Sequence, residues 1–302
     1  MTSRLSVRPT LVAVAAAAAL ALAGCGSSSA PGGGSGGGAA GSTGGAGSTG
    51  GGGGGGSTAG TGGGAAGVPL ISAGKLTVCT HLPYAPFQSN NDAGKTVGFD
   101  VDMMDLVAKK LGVTQGIVDT PFEGIKSGQD LSTGKCDIAA AGMTITDERK
   151  KAILFSDPYF DATQALLVKK DSSIADLSGL KGKKLGAQAA TTGLDYANSK
   201  KAANGYEIVE FQDLAAQTQA LLTGQVDGAI NDLPVWSEAI KQAPGKAKIA
   251  TQFDTGEQYG FGMKLGNTAL KTVVDGIIKS SKTDGSYAAL YMKWIGTAPP
   301  AK

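Results

Sequence analysis

The chain has 302 residues, 48 of them glycine, with 17% charged residues and a formal net charge of +2 at pH 7. So small a charge excludes the basic surface that nucleic-acid binding requires, and a single histidine, His81, excludes a multi-histidine metal centre. Glycine is crowded before residue 68, so the averages hide a low-complexity segment joined to a region of ordinary globular composition.

Taken from the start, residues 1–25 read as an export signal. Arg4 and Arg8 precede an apolar run from Leu11 to Ala23, and small residues lead into Cys25. The run, roughly 13 residues, is shorter than the ~20 a bilayer span needs. Leu22-Ala23-Gly24-Cys25 resembles the lipobox of bacterial lipoproteins, which implies removal of residues 1–24 and lipidation of Cys25. The alternative is an ordinary cleaved signal that ends near a cysteine. Removal takes away Arg4 and Arg8 and no acid, bringing +2 down to about zero. Residues 26–67 are almost wholly Gly, Ser, Thr and Ala, and residues 25–74 as a whole form a flexible tether with a reach on the order of 35–40 Å. With Cys25 given to lipid, Cys79 and Cys136 remain, as one disulfide pair in an oxidising compartment or as two buried thiols.

From about Lys75 the pattern alternates strand and helix. Lys75 to Thr80 is an apolar strand, and Asp100 to Leu111 is an amphipathic helix with Met104, Val107, Ala108 and Leu111 on one face. Further strands are predicted at Cys136 to Ala141, Ala165 to Lys169, Lys184 to Gln188, Glu207 to Phe211 and Val226 to Ile230. A helix over Leu214 to Leu222 starts after Asp213 as N-cap and stops at Gly224. Such alternation predicts an α/β fold of parallel sheets covered by helices. Leu131-Ser-Thr-Gly-Lys-Cys-Asp137-Ile-Ala and Leu221-Leu-Thr-Gly-Gln-Val-Asp227-Gly-Ala share one register, which suggests the same helix, glycine stop and strand in each of two lobes. A ligand then belongs in the crevice at the carboxyl ends of the strands.

Several residues near those strand ends carry usable chemistry. Thr146 is a helix N-cap that places Arg149 in a first turn, where a guanidinium suits a carboxylate, and Gly142 and Thr144 lie just before it. Asp232, ahead of Pro234, is either a plain helix cap or a carboxylate for an ammonium group. Arg149 and Asp232 across a crevice fit a zwitterion. Thr192, in Ala190-Thr191-Thr192-Gly193, adds donors or is an ordinary helix entry. Tyr84 and Phe122, at strand ends, are either core aromatics or the walls of a side-chain pocket.

From Lys75 to Gly296 the chain resembles the polar-amino-acid family of bacterial extracellular solute-binding proteins, family 3. The motifs are Tyr84-Ala-Pro-Phe87, Gly98-Phe-Asp-Val-Asp102, Ala141-Gly-Met-Thr-Ile-Thr146 with Arg149, Phe155-Ser-Asp-Pro-Tyr159, Leu180-Lys-Gly-Lys183 and Asp284-Gly-Ser-Tyr287. The resemblance implies the type II periplasmic-binding fold, two mostly parallel sheets flanked by helices and joined by two hinge strands. Lobe 1 comprises residues 75–162 and 257–296, and lobe 2 residues 163–256. It implies that Arg149, Thr144 and Gly142 hold an α-carboxylate, that Asp232 and Thr192 hold the α-ammonium, and that Tyr84, Phe122 and His81 line the side-chain pocket. It implies an amino-acid ligand without metal or cofactor, ABC-importer permease subunits as partners, and a monomer on the outer face of the membrane. The fold places Cys79 and Cys136 on neighbouring strands, so a disulfide is expected. His81 stands where binders of cationic amino acids carry aspartate, which favours a non-basic ligand such as glutamine or glutamate. The segment Lys126 to Thr133 is about two residues longer than is common in the family. A dehydratase acting on a cyclic amino-acid precursor shares the fold, so an enzyme is one alternative and a sensing lipoprotein another.

Overall fold

The computed structural model describes residues 67–300; the export signal, Cys25 and most of the tether lie outside the described residues. The chain begins with β1 (Lys75–Thr80), the short hairpin of β2 (Ser89–Asn90) and β3 (Thr96–Val97), α1 (Phe99–Leu111), β4 (Thr114–Asp119) and α2 (Phe122–Lys126). It continues through α3 (Gln129–Ser132), β5 (Ile138–Ala139), α4 (Asp147–Lys150), β6 (Ile153–Phe155) and the long β7 (Phe160–Lys169). The next elements are β8 (Lys184–Gln188), α5 (Thr192–Asn204), β9 (Glu207–Phe211), α6 (Leu214–Thr223), β10 (Gly228–Asp232) and α7 (Leu233–Gln242). The second long strand, β11 (Ala247–Tyr259), leads to β12 (Gly262–Lys264), α8 (Thr268–Asp284) and α9 (Ser286–Ile295).

Two five-stranded sheets result, ordered β4-β1-β5-β12-β6 and β11-β7-β10-β8-β9. In the first, β4, β1 and β5 are parallel and β12 runs against both β5 and β6, so four strands share one direction. The second repeats this plan with β9, β8 and β10 parallel and β7 opposed. β7 and β11 pair with each other at both ends, from Phe160↔Tyr259 to Lys169↔Ala247, and join the lobes.

The internal repeat marks equivalent places in the two sheets. Asp137 donates its N–H to the Thr77 carbonyl and accepts the Thr77 N–H at 2.8 Å, while Asp227 makes the same reciprocal pair with Lys184 (2.9 Å). Each aspartate thus ties the start of one strand to its neighbour. That geometry moves two strand boundaries away from the sequence expectation. The segment Cys136 to Ala141 pairs as a strand only at Ile138–Ala139, because Asp137 is spent on the tie and Cys136 turns into a disulfide. The strand expected over Val226 to Ile230 lies at Gly228–Asp232, after the Asp227 tie.

The cores follow the predicted periodicities. Met104, Val107, Ala108 and Leu111 of α1 are buried, as are Phe99 and Met103. Phe87, Phe160 and Tyr259 pack with ring centroids 5.0–5.6 Å apart where the hinge strands leave the first lobe. Asp213 caps α6 through the Ala216 N–H, and Gly224 ends that helix in the left-handed region. Cys79 and Cys136 form a buried disulfide, Cα–Cα 5.6 Å. No helix of the described residues is long and apolar enough to cross a membrane.

Candidate functional site

The carboxyl ends of β1, β4 and β5 in one lobe face those of β8 and β10 in the other across a small cavity. All eight residues expected at the site line it: His81, Tyr84, Phe122, Gly142, Thr144, Arg149, Thr192 and Asp232. Gln88, Ala141, Gln188 and Thr191 complete the wall.

Arg149 sits in the first turn of α4, whose N-cap Thr146 accepts the Arg149 N–H. Its guanidinium is buried, donates from Nη1 to the Thr144 carbonyl (2.7 Å) and from Nη2 to the Ala190 carbonyl (3.1 Å), and lies 5.5 Å from the Phe122 ring centroid. No carboxylate of the described residues forms an ion pair with it. Burial therefore pushes its pKa down, opposed by the more distant Asp195, Asp232 and Glu257. Phe122 is a platform for this cation, and no ring contact brings it face to face with Tyr84.

Asp232 occupies the N-cap position of α7, but its side chain makes no cap hydrogen bond. It turns instead toward the cavity floor, where it accepts from Tyr84 Oη (3.0 Å), Tyr259 Oη and Gln164 Nε2. Burial, and then the nearby Glu257 carboxylate, raise its pKa from 3.8 to about 7 against those three donors. The same burial and the charge of Asp232 hold the hydroxyls of Tyr84 and Tyr259 well above the ordinary tyrosine range.

Gly142 has φ 55°, and a Cβ there would lie 2.9 Å from the Tyr84 ring, so only glycine fits. Its N–H is already donated to Asp100 Oδ2 (2.8 Å), so Gly142 has only its carbonyl, an acceptor, to offer the cavity. Thr191, not Thr192, caps α5 by accepting the Leu194 N–H. Thr192 and Thr144 both donate to Glu257 Oε2, at 2.8 and 2.9 Å. His81 Nδ1 is 3.0 Å from the Thr120 carbonyl and Nε2 is 3.3 Å from that of Gln212. Both neighbours are carbonyl oxygens, so a neutral imidazole, with its single N–H, donates to only one of them.

Sequence reasoning missed Glu257, Gln164, Gln88, Gln188 and Asp100. Glu257 and Tyr259 share one face of β11, so strand alternation was the available signal for the first. Gln88 and Gln188 lie at or next to strand ends and Gln164 in the middle of β7, places where only the folded structure separates a buried amide from a solvated one.

A two-lobed receptor with one buried cation and one buried carboxylate facing its interlobe cavity is the class that fold and site define. The chain belongs to the bacterial extracellular solute-binding proteins, family 3, whose sequence profile matches residues 76–297. The arginine-binding periplasmic protein of Mannheimia haemolytica is 31% identical over 218 residues, 70% of this chain and 88% of that protein. The ABC transporter glutamine-binding protein GlnH of Bacillus subtilis is 34% identical over 214 residues, 70% of this chain and 77% of that protein. Among solved structures, an ancestral arginine-binding protein bound to glutamine is 38% identical with a TM-score of 0.70, over 75% of this chain and all of that one.

Proposed function

We propose that the chain is the extracytoplasmic substrate-binding lipoprotein of an ABC importer and captures a polar, non-basic amino acid, such as glutamine or glutamate, by closing two lobes around it. Residues 75–162 with 257–296 form one lobe and 163–256 the other. Cys25 anchors the protein by lipid to the outer face of the cell membrane and a tether holds it there as a monomer; the tether expected over 25–74 stops short of Val68, because Val68 and Leu70 are buried in the core and the Ile71 N–H donates to Asp137. Arg149 and Thr144 take the α-carboxylate; Gly142, expected there from the sequence, has only its carbonyl acceptor to offer and so joins Asp232 and Thr192 at the α-ammonium. Tyr84, Phe122 and His81 flank the side chain.

The observation that carries this reading is Arg149: a buried guanidinium with no carboxylate partner among the described residues, lining a cavity whose only acid among them is Asp232. An uncompensated buried cation favours binding of an anion, and a zwitterion matches both charges. Because Asp232 is taken by the ammonium, a basic side chain would have no second carboxylate in the wall. A thermal-shift screen of the protein against the twenty amino acids tests this: a ligand at 100 times its Kd adds about 2.7 kcal/mol of stability. Arg149→Ala is expected to lower affinity at least 100-fold, about 2.7 kcal/mol, with the melting transition retained. Affinity within tenfold of wild type would overturn the carboxylate assignment. Conversion of a bound amino acid into product would reveal an enzyme instead.

A further inference from the structure

Gln88 is a side chain that neither the motifs nor the zwitterion site uses. It is 1% exposed, lines the cavity, and donates from Nε2 to the His81 carbonyl at 3.3 Å. Its Oε1 is buried with no hydrogen-bond partner. The amide cannot simply be reversed, because that would set Oε1 against the His81 carbonyl and leave Nε2 as the orphan. On the other lobe Gln188 also lines the cavity. Its Oε1 accepts from Asn231 Nδ2 at 3.3 Å, which directs its Nε2 elsewhere, and that Nε2 has no protein acceptor among the described residues. The wall therefore carries an unmatched buried acceptor on one lobe and an unmatched donor on the other, both neutral.

We infer that Gln88 and Gln188 are the specificity-determining residues of the side-chain pocket, and that they select a ligand ending in a carboxamide. The ligand NH2 donates to Gln88 Oε1 and the ligand C=O accepts from Gln188 Nε2. A buried acceptor left unpaired is costly, so a side chain with no N–H to give forfeits binding at Gln88. A carboxylate side chain is excluded for that reason, since it would put anionic oxygen against the orphan Oε1. A guanidinium satisfies Gln88 but places a full charge where the wall supplies no carboxylate. This inference rests on the amino-acid-binding reading above and narrows it to the carboxamide class.

The test is isothermal titration of the purified full chain with glutamine, asparagine, glutamate and arginine, repeated on Gln88→Leu and Gln88→Glu. Wild type is expected to bind glutamine or asparagine at least tenfold more tightly than glutamate and arginine. Gln88→Leu, similar in volume but without an acceptor, should weaken the carboxamide ligand about tenfold or more. Gln88→Glu keeps the shape, supplies the missing counter-ion, and should move preference toward arginine by at least tenfold. It also serves if the leucine variant fails to fold. Glutamate or arginine preferred by wild type overturns the inference and leaves the binding reading standing. So does a Gln88→Leu protein that binds the carboxamide within twofold of wild type, because an ordered water would then satisfy the oxygen. If none of the twenty amino acids binds to folded wild type, the binding reading itself fails.

Discussion

On the proposed assignment, Asp232 has to be neutral enough to stay buried without ligand and charged enough to hold an ammonium with it. Burial and Glu257 push it from 3.8 to about 7, and Tyr84, Tyr259 and Gln164 supply donors that keep the ionised form accessible. Asp100, buried under Tyr159 and the Gly142 N–H, is likewise raised to about 7, chiefly by burial. For both groups the folded pKa lies above the unfolded value, so the folded state binds more protons between 3.8 and about 7. The ligand-free protein is therefore expected to lose stability as pH rises through that window, with no further loss above it. Ligand affinity should run the other way, because an ammonium needs the ionised Asp232. Below about pH 7 binding releases a proton and weakens by up to about tenfold per pH unit. Titration calorimetry in buffers of different ionisation enthalpy reads the proton directly. Asp232→Asn should flatten the pH dependence, and Glu257→Gln should shift it to lower pH by removing the neighbouring charge. A pH-independent affinity between 5 and 8 in wild type would reject the assignment of Asp232 to the ammonium.

At the scale of elements, the parallel strands of both lobes were legible because their signals are local: apolar runs, glycine stops and Asp213 as a cap. The repeated Leu-x-Thr-Gly-x-x-Asp was legible too, and its aspartate turns out to be the tie between adjacent strands. The edges of those strands were not, since a side chain that replaces a ladder bond has no pattern of its own. Arg149 and Asp232 were found because a cap signal and a proline place them at helix starts, whereas Asp100 in the first turn of α1 looks like any dipole-favouring acid until its burial is seen. The bond from Cys79 on β1 to Cys136 ahead of β5 closes a loop of sequence separation 57. On the chain-entropy account such a loop contributes about 4 kcal/mol. Replacing both cysteines by serine, or reducing the bond, is expected to lower unfolding free energy by roughly 2–4 kcal/mol in denaturant titration. Intact mass before and after reduction checks the bond itself, and two titratable thiols in the unreduced protein would refute it.

At the scale of the whole molecule, what holds the two lobes together across the cavity is polar and sparse. Tyr84 Oη reaches Asn231 (2.9 Å) and Asp232, Arg149 reaches the Ala190 carbonyl, Thr144 meets Thr192 at 3.4 Å, and His81 faces Gln212. Each such bond exchanges with water at a net gain of only about 0.5–1.5 kcal/mol, so what crosses the cavity is a handful of exchangeable polar contacts and no apolar interface. The covalent connection is no stiffer. Between Phe253↔Gln164 and Glu257↔Ala162 the β7–β11 ladder slips its register, with Asp254, Thr255 and Gly256 opposite Thr163 alone, and Gly256 has φ 61°. A bulge of this kind in the two strands that join the lobes is where backbone rotation is least opposed by sheet bonds. On the proposed reading, a zwitterion buried between Arg149 and Asp232 adds contacts to both lobes at once and so favours closure by its differential affinity. Small-angle scattering should accordingly show a wild-type protein whose radius of gyration falls when the amino acid is added, while Arg149→Ala at the same ligand concentration stays expanded. If wild type at saturation scatters as the free protein does, the two lobes bind as a preformed cleft, and the bulge between Phe253 and Glu257 is a fixed feature of the sheet and not its hinge.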